Sequence, residues 1–266
     1  MRGSGPEGRV VHKDLDDHVG KVRPAAAPVN ASAGAAQEIK IIGIRRKIAE
    51  RMLESKRNIP HYSYVEEVDM TNLEVVRAQL NDERGTKLSV LPFIILAVIR
   101  ALPEFQQLNA HFDDAAGVLH QFAHVNLGVA AQTEKGLMVP VVFNAQAMDL
   151  WTLATEVERV ADAARAGTID RKELMGSTIT VTSLGKLGGL VSTPVINRPE
   201  VAIIGINKVA QRPVAVDGQI ALRSMMNLSS SFDHRIVDGH AAASYIQRIK
   251  ALLEQPALLF VPVPGG

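Results

Sequence analysis

From Val90 to Leu102 the chain is almost wholly apolar, with Arg100 its one charged residue. Pro92 suits the first turn of a helix, where its missing N–H is not needed. At about a dozen residues the run is too short to span a membrane, which takes roughly 20. It predicts a helix buried in a core. A chain of 266 residues, 47% of them hydrophobic, can supply that core as one large domain or two smaller ones.

The elements around this run interleave. Ile44, Ile48, Met52 and Ser55 share one helical face, and Asn58-Ile59-Pro60 ends that helix. His61 to Met70 reads as a strand. Thr71-Asn72-Leu73-Glu74 reads as a capping box opening a helix to about Glu83. Two hairpins are expected, through Asp114–Gly117 and Thr133–Gly136. Asp149 caps an amphipathic helix to about Arg165, and a short helix runs to Leu174. Ser177 to Ser183 is a strand, and Val201 to Asn207 is a strand apolar on both faces. Pro213 to Leu222 suggests a hairpin through Asp217-Gly218. Met225 to Ser231 is another strand, and a helix runs from about Gly239 to Glu254. The fold class is α/β, a mixed sheet packed by helices.

Ahead of this globular part, from 38 to 266, lie two other regions. Residues 21–37 are Ala/Pro-rich and lack periodic large apolar residues, the composition of an extended tether. Residues 1–20 form a Gly-rich turn and a short helix opening near Lys13 or Asp14, too small to bury a core.

Composition narrows the function. Net charge is +1 and aromatics are 4%, with no basic stripe, so nothing suggests a nucleic-acid partner. There is no cysteine, which excludes disulfides, thiolate metal sites and a cysteine nucleophile. His61, His111, His120 and His124 show no metal-like spacing, so no metal is assigned. No segment spans a membrane or reads as a signal peptide.

The chemistry concentrates at Ser229 to His240. A strand delivers His234, and a helix starts just after Asp238-Gly239. Histidine is the side chain whose ordinary pKa lies nearest neutral pH. On spacing alone, His234 is equally a hydrogen-bonded structural histidine and Asp238 only an N-cap.

Asp233-His234-Arg235-Ile236-Val237-Asp238-Gly239 resembles the DHRxxDG signature of the dihydrolipoamide acyltransferases (E2) of 2-oxoacid dehydrogenase complexes. Further matches in order are Gly43 to Ala49, Ile59 to Tyr62, Thr133 to Pro140 and Thr193 to Glu200. Met225 to Ser231 and Thr182 to Gly185 are most similar to the bacterial branched-chain type. The resemblance covers about Ile39 to the C-terminus. It implies the chloramphenicol-acetyltransferase-like fold and transfer of an acyl group between a dihydrolipoyl arm and coenzyme A. In that reading His234 is the base.

The family's oxyanion donor stands in a Ser-Asn-x-Gly pattern. Counting back from Gly185 puts Thr182 at the serine and Ser183 at the asparagine, so the chain departs from the pattern. Adjacent strand side chains face opposite ways, so only one of the two can serve. The resemblance implies that Asp238 pairs with Arg45 to hold the histidine loop, while Arg235 makes a structural ion pair or a subunit contact. Arg77, Ser89, Gln132, Asn207 and Val209 fall where family members contact coenzyme A, and Thr182 and Ser183 join them. Each alone reads equally as surface or packing.

The same resemblance makes residues 1–20 the truncated remnant of a peripheral subunit-binding domain, poorly ordered and unable to hold E1 or E3. An ordinary tail would behave alike. No lipoyl domain is present in this chain, so the acyl-carrying arm comes from elsewhere. Implied assembly is a homotrimer with sites between subunits, joined through Pro256 to Pro262 into a 24-chain cube. The implied location is the bacterial cytoplasm or the mitochondrial matrix. Competing readings are a pyruvate-type acetyltransferase core, a free-standing acetyltransferase and a non-catalytic scaffold.

Overall fold

The computed structural model describes residues 2–22 and 36–261. It divides into two compact units, one ending at Lys40 and one beginning at Ile41. In the first, helix α1 (His12–Val22) opens beside the expected Lys13 or Asp14 and runs two residues into the expected tether. Asp14 Oδ2 accepts from the backbone N–H of Ser4 and Val11, at 2.8 and 3.0 Å. Most of the Ala/Pro-rich tether lies outside the described residues.

The second unit is a mixed sheet with helices. In chain order its elements are α2 (Gly43–Asn58), β1 (His61–Asp69), α3 (Thr71–Arg84), α4 (Leu91–Ala101), β2 (Ala110–Asp113), β3 (Val118–Gln121) and β4 (Leu127–Thr133). There follow β5 (Gly136–Met138), β6 (Val141–Val142), α5 (Leu150–Ala166), β7 (Ile179–Ser183), β8 (Ala202–Ile206), β9 (Ala210–Val216), β10 (Gln219–Asp233) and α6 (Gly239–Glu254). The main sheet runs β1-β10-β8-β7-β4-β5, with β6 on β4 and β9 on β10. Strands β4, β7 and β8 are parallel to one another, and β10 is antiparallel to β8 and β1.

The apolar run forms α4, and every residue from Pro92 to Ile99 is buried. Each such Phe, Ile or Leu contributes on the order of 2 kcal/mol by leaving water. Helix α6 packs on α4 with Ala242, Tyr245, Ile246, Ile249 and Leu253, a helical spacing. The Tyr245 hydroxyl donates to Val98 O at 3.1 Å, which satisfies the one polar atom on that face. Helix α5 adds Leu150, Leu153, Val157 and Val160 to the same core.

Three expectations change. Helix α3 forms where it should, but Thr71 is not its cap. Met70 holds that position without a side-chain bond. Thr71 N instead donates to Asp69 Oδ1 at 2.9 Å, and Thr71 Oγ1 accepts from Ser224 N at 3.0 Å. The threonine is drawn to the sheet's backbone rather than to the helix's own. Strand β10 is a single strand of 15 residues, not two, because it is paired by β9 before Met225 and by β1 from there on. The return strand after Gly136 breaks into β5 and β6 around Val139-Pro140.

The sheet's second face is lined largely by small residues. Thr182, Gly205 and Ser229 stand opposite one another across β7, β8 and β10. A Cβ on Gly205 would sit 2.3 Å from Ser229 O, so this row tolerates no larger residue there. A segment from Ser192 to Pro199 crosses this face. Ser192 N donates to Ser229 Oγ at 3.2 Å, and Ser55 Oγ of α2 donates to Ile196 O at 2.7 Å. The expected apolar face of α2 is otherwise open: Ile44 is exposed, and Ile48 and Met52 are half-buried.

Candidate active site

The loop after β10 is fixed by backbone bonds on both sides of His234. Asp233 N donates to Val201 O at 2.8 Å and His234 N to Pro60 O at 3.1 Å. Ile236 N and Val237 N turn back to Asp233 O at 3.0 and 2.9 Å. Val237 is fully buried, while the His234 side chain is exposed. Its ring lies 4.8 Å from that of Tyr62, tilted by 59°. An imidazole is thus presented outward from a loop held by backbone bonds on both sides.

Asp238 caps α6, its Oδ1 accepting from Ala241 N at 2.8 Å. The expected Arg45–Asp238 pair is not made within one chain. Arg45 lies on the first turn of α2 and forms no ion pair among the described residues. At 1.5 Å per residue, α2 sets it about 20 Å from Asn58, close to where the chain meets the histidine loop. Arg235 secures the loop instead. Its Nε and Nη2 donate to Asp233 Oδ1 and Oδ2 at 2.9 and 2.6 Å, its Nη1 pairs with Asp114, and its guanidinium lies 4.7 Å from the Phe112 ring centre.

The candidate oxyanion donors end β7. Thr182 faces the small-residue row of Gly205 and Ser229, while Ser183 faces the other way. Ser183 Oγ accepts from Gly185 N at 3.1 Å. It lines a cavity of about 600 Å³ together with Ser89, Gln132, Leu88, Val129 and Arg165. Arg77 stands behind that wall, donating from Nη1 to Leu88 O at 3.0 Å and paired with Glu74. Asn207 lies on the Thr182 side and is buried, with Oδ1 accepting from Ser229 Oγ at 2.7 Å. Val209 packs half-buried on the core. The structure thus brings Ser89, Gln132 and Ser183 to one cavity and leaves Asn207 and Val209 outside it.

Base and donors are far apart in one chain. Thr182, Gly205 and Ser229 share one level of the sheet, and His234 follows Ser229 by five residues on a strand running the opposite way. At about 3.3 Å per residue and about 4.8 Å per strand spacing, the Cα atoms of His234 and Thr182 are about 19 Å apart. A base must reach the thiol and a donor the thioester oxygen, each at about 3 Å, so the two side chains of one site must come within several ångströms of each other. One copy does not bring His234 and Thr182 that close.

Other titratable groups are held inside the fold. His61 is held neutral: its Nε2 accepts from Ile196 N at 3.0 Å, which leaves Nδ1 to donate to Ile59 O at 2.9 Å. Burial pushes its pKa down. His111 donates from Nε2 to Ser177 O at 2.7 Å and is likewise pushed down by burial. Glu200, 1% exposed, accepts at Oε1 from Ser177, Thr180 and Asn197, while its Oε2 has no partner. Burial outweighs those bonds and pushes its pKa up to about 7. A lone acid heading an all-apolar strand was the available signal. Among the described residues no group of three or more His, Cys, Asp or Glu is arranged to hold a metal ion, and no helix is long and apolar enough to cross a membrane.

Known proteins match this geometry along most of the chain. The family described as 2-oxoacid dehydrogenases acyltransferase (catalytic domain) matches residues 33–261. The lipoamide acyltransferase component of the branched-chain alpha-keto acid dehydrogenase complex of Pseudomonas aeruginosa is 53% identical over 98% of this chain and 63% of its own length. The dihydrolipoyllysine-residue acetyltransferase component of the pyruvate dehydrogenase complex of Bacillus subtilis is 38% identical over 98% of this chain and 64% of its own. The chain therefore spans just under two thirds of these relatives. Among solved structures, dihydrolipoamide acetyltransferase of Azotobacter vinelandii superimposes with a TM-score of 0.81 at 33% identity, over 90% of this chain and all of that one. A chloramphenicol acetyltransferase shares the fold, with a TM-score of 0.51 at 16% identity over 80% of this chain and 99% of that one. With its histidine loop, its parallel strand ends and this coverage, the chain belongs to the family of 2-oxoacid dehydrogenase acyltransferases, through their catalytic domain.

Proposed function

We propose that this chain is the catalytic and structural core of the acyl-transfer component of a 2-oxoacid dehydrogenase complex, moving a branched-chain acyl group between a dihydrolipoyl arm and coenzyme A. The carrying observation is the split site. His234 lies at one end of the sheet and Thr182 and Ser183 at the other, so one copy's base must meet another copy's donor. A closed ring of heterologous contacts, such as a trimer, joins the two ends at every interface. The open face of α2 and the exposed Ile41 and Ile42 before it support such an interface. Joining of trimers into a 24-chain cube is part of this reading. One related structure is the cubic core of a pyruvate dehydrogenase complex.

The Azotobacter structure was solved to examine a serine, a histidine and an asparagine in that enzyme's mechanism. The serine precedes the histidine by fifty-two positions, and the asparagine follows it by four. The same offsets from His234 fall on Thr182 and Asp238. This supports Thr182 over Ser183 as the oxyanion donor.

The residues then divide the work. A free thiol has a pKa near 8.5, so at neutral pH it needs a base. Neutral His234 takes the proton of the coenzyme A thiol, and the sulfur attacks the thioester carbon of the acyl-dihydrolipoyl arm. The carbonyl oxygen gains the negative charge and accepts a hydrogen bond from the Thr182 hydroxyl. The carbon–sulfur bond to the arm then breaks, and His234 returns the proton to that sulfur. One thioester replaces another, so no covalent enzyme intermediate is required. The cavity at Ser89, Gln132 and Ser183 takes coenzyme A, with Arg77 shaping its wall.

E1, E3 and a lipoyl domain are the partners this reading implies. Residues 1–20 resemble part of the segment that would hold E1 or E3. Comparing turnover of isobutyryl-, acetyl- and succinyl-coenzyme A with dihydrolipoamide tests the reading. Preference for isobutyryl supports it, acetyl preference makes the chain pyruvate-type, and no turnover leaves a scaffold. A monodisperse monomer by light scattering would overturn the shared site.

A further inference from the structure

We propose that Asp114, at the turn of the β2–β3 hairpin, is a positioning residue for His234 and acts through Arg235. This rests on the acyl-transfer reading above. Asp233 and Arg235 flank the base in sequence, so whatever fixes both fixes the backbone from which the imidazole projects. The Asp233 carboxylate is buried, 1% exposed, and takes three N–H groups from Arg235: the backbone N at 3.1 Å, Nε at 2.9 Å and Nη2 at 2.6 Å. A buried carboxylate stripped of such a partner costs several kcal/mol. Arg235 therefore cannot leave without disturbing the loop.

Arg235 is itself held from outside. Its Nη1 reaches Asp114 Oδ1, and Phe112 of β2 lies beneath its guanidinium. The other oxygen of Asp114 accepts from Arg198 Nε and Nη2, at 3.1 and 2.8 Å. Arg198 in turn reaches Glu54 of α2. Asp114 is the residue that touches both arginines. It joins the histidine loop to the segment crossing the sheet and, through Arg198, to α2. Partial burial would raise the Asp114 pKa, but the two guanidiniums outweigh it and hold the carboxylate below its ordinary range. A lone surface pair is worth little, but these bonds are forked and shared, which makes them directional. The network supplies the brace that the Arg45–Asp238 pair was expected to provide.

Asp114→Asn keeps size and removes charge. The expected result is a fall in kcat of about 10- to 100-fold, the scale of a small misplacement of a reacting group. KM for coenzyme A and for the acyl donor should stay within twofold, with assembly intact, and Asp114→Glu should recover part of the rate. In a His234→Ala background, Asp114→Asn should have no further effect, because it acts only through the base. Full kcat in the single variant, or an equal loss in the His234→Ala background, overturns the proposal. Crystal structures of the wild type and Asp114→Asn decide the matter apart from activity. A displaced 233–237 loop supports it and an unmoved loop overturns it, even if the wild type proves to transfer no acyl group.

Discussion

In the proposed reading the two ends of the central sheet carry different halves of one reaction, and they are built differently. At the end that bears His234, ordinary backbone bonds and forked ion pairs hold a loop whose working side chain is exposed. At the other end, the residues that line up are small: Thr182, Gly205 and Ser229 on one face and Ser183 on the other. A base must be presented to something arriving, so it sits on an exposed, rigid loop. A donor must meet a developing charge closely, so it sits in a sheet where neighbouring bulk is absent. The separation of about 19 Å follows from strand order, direction and register, and in the proposed reading it makes a second copy a condition of the chemistry.

The strongest way to break this comparison is to remove the base. His234→Ala should leave assembly intact and lower turnover by about 10³–10⁴, the upper range for general-base catalysis. Near-normal turnover would make His234 structural and reduce its end of the sheet to a loop anchor.

At the other end the expected effect is smaller. Thr182→Val should lower kcat by about 10², as for a lost oxyanion donor, and Thr182→Ser should be near normal. Ser183→Ala should chiefly raise KM for coenzyme A. If Ser183→Ala loses the turnover and Thr182→Val does not, the donor lies on the cavity side of the sheet. Mixing sharpens the comparison further. In randomly reassembled trimers of His234→Ala and Thr182→Val chains, about a quarter of the interfaces should pair an intact base with an intact donor. Recovery to about that fraction of wild-type turnover places the halves on different chains. No recovery places them on one.

The fold was legible because its signals were long. The apolar Val90–Leu102, the doubly buried Val201–Asn207 and the amphipathic 150–166 each determine an element by pattern. Thr71 misled because a threonine before an acid also fits a strand-end contact, and only the fold put Ser224 within its reach. The Gly239 helix and its Asp238 cap could be read locally. Arg45 could not be placed, because its distance from Asp238 depends on how α2 is laid against the sheet. The Asp114 bridge joins residues 84 and 121 positions apart, with no local signature. The distance between His234 and Thr182 needed the strand order, which periodicity does not contain.

The last expected effect is on stability rather than turnover and concerns Glu200, which lies off both ends of the site. Its Oε1 takes three donors, an arrangement that favours the charged form, yet its Oε2 is buried without a partner and burial prevails. The folded carboxyl keeps its proton up to about pH 7, whereas the unfolded one releases it near 4.5. A raised pKa contributes stability that is complete below the unfolded value and is lost as pH climbs through the folded one. His61 and His111, pushed down by burial, act with the opposite sign: their contribution is lost as pH falls. Wild-type melting alone therefore mixes the two. Glu200→Gln separates them, since glutamine keeps an acceptor for Ser177 and Thr180 and has no proton to lose. Its amide N–H₂ replaces the unpartnered oxygen, so a constant destabilisation is expected at acid pH. Between pH 5 and pH 8 the variant should gain on the wild type by up to a few kcal/mol, read as a narrowing gap in Tm. A gap that stays constant across that range would show that Glu200 is already ionised in the folded chain, with Oε2 reached by water.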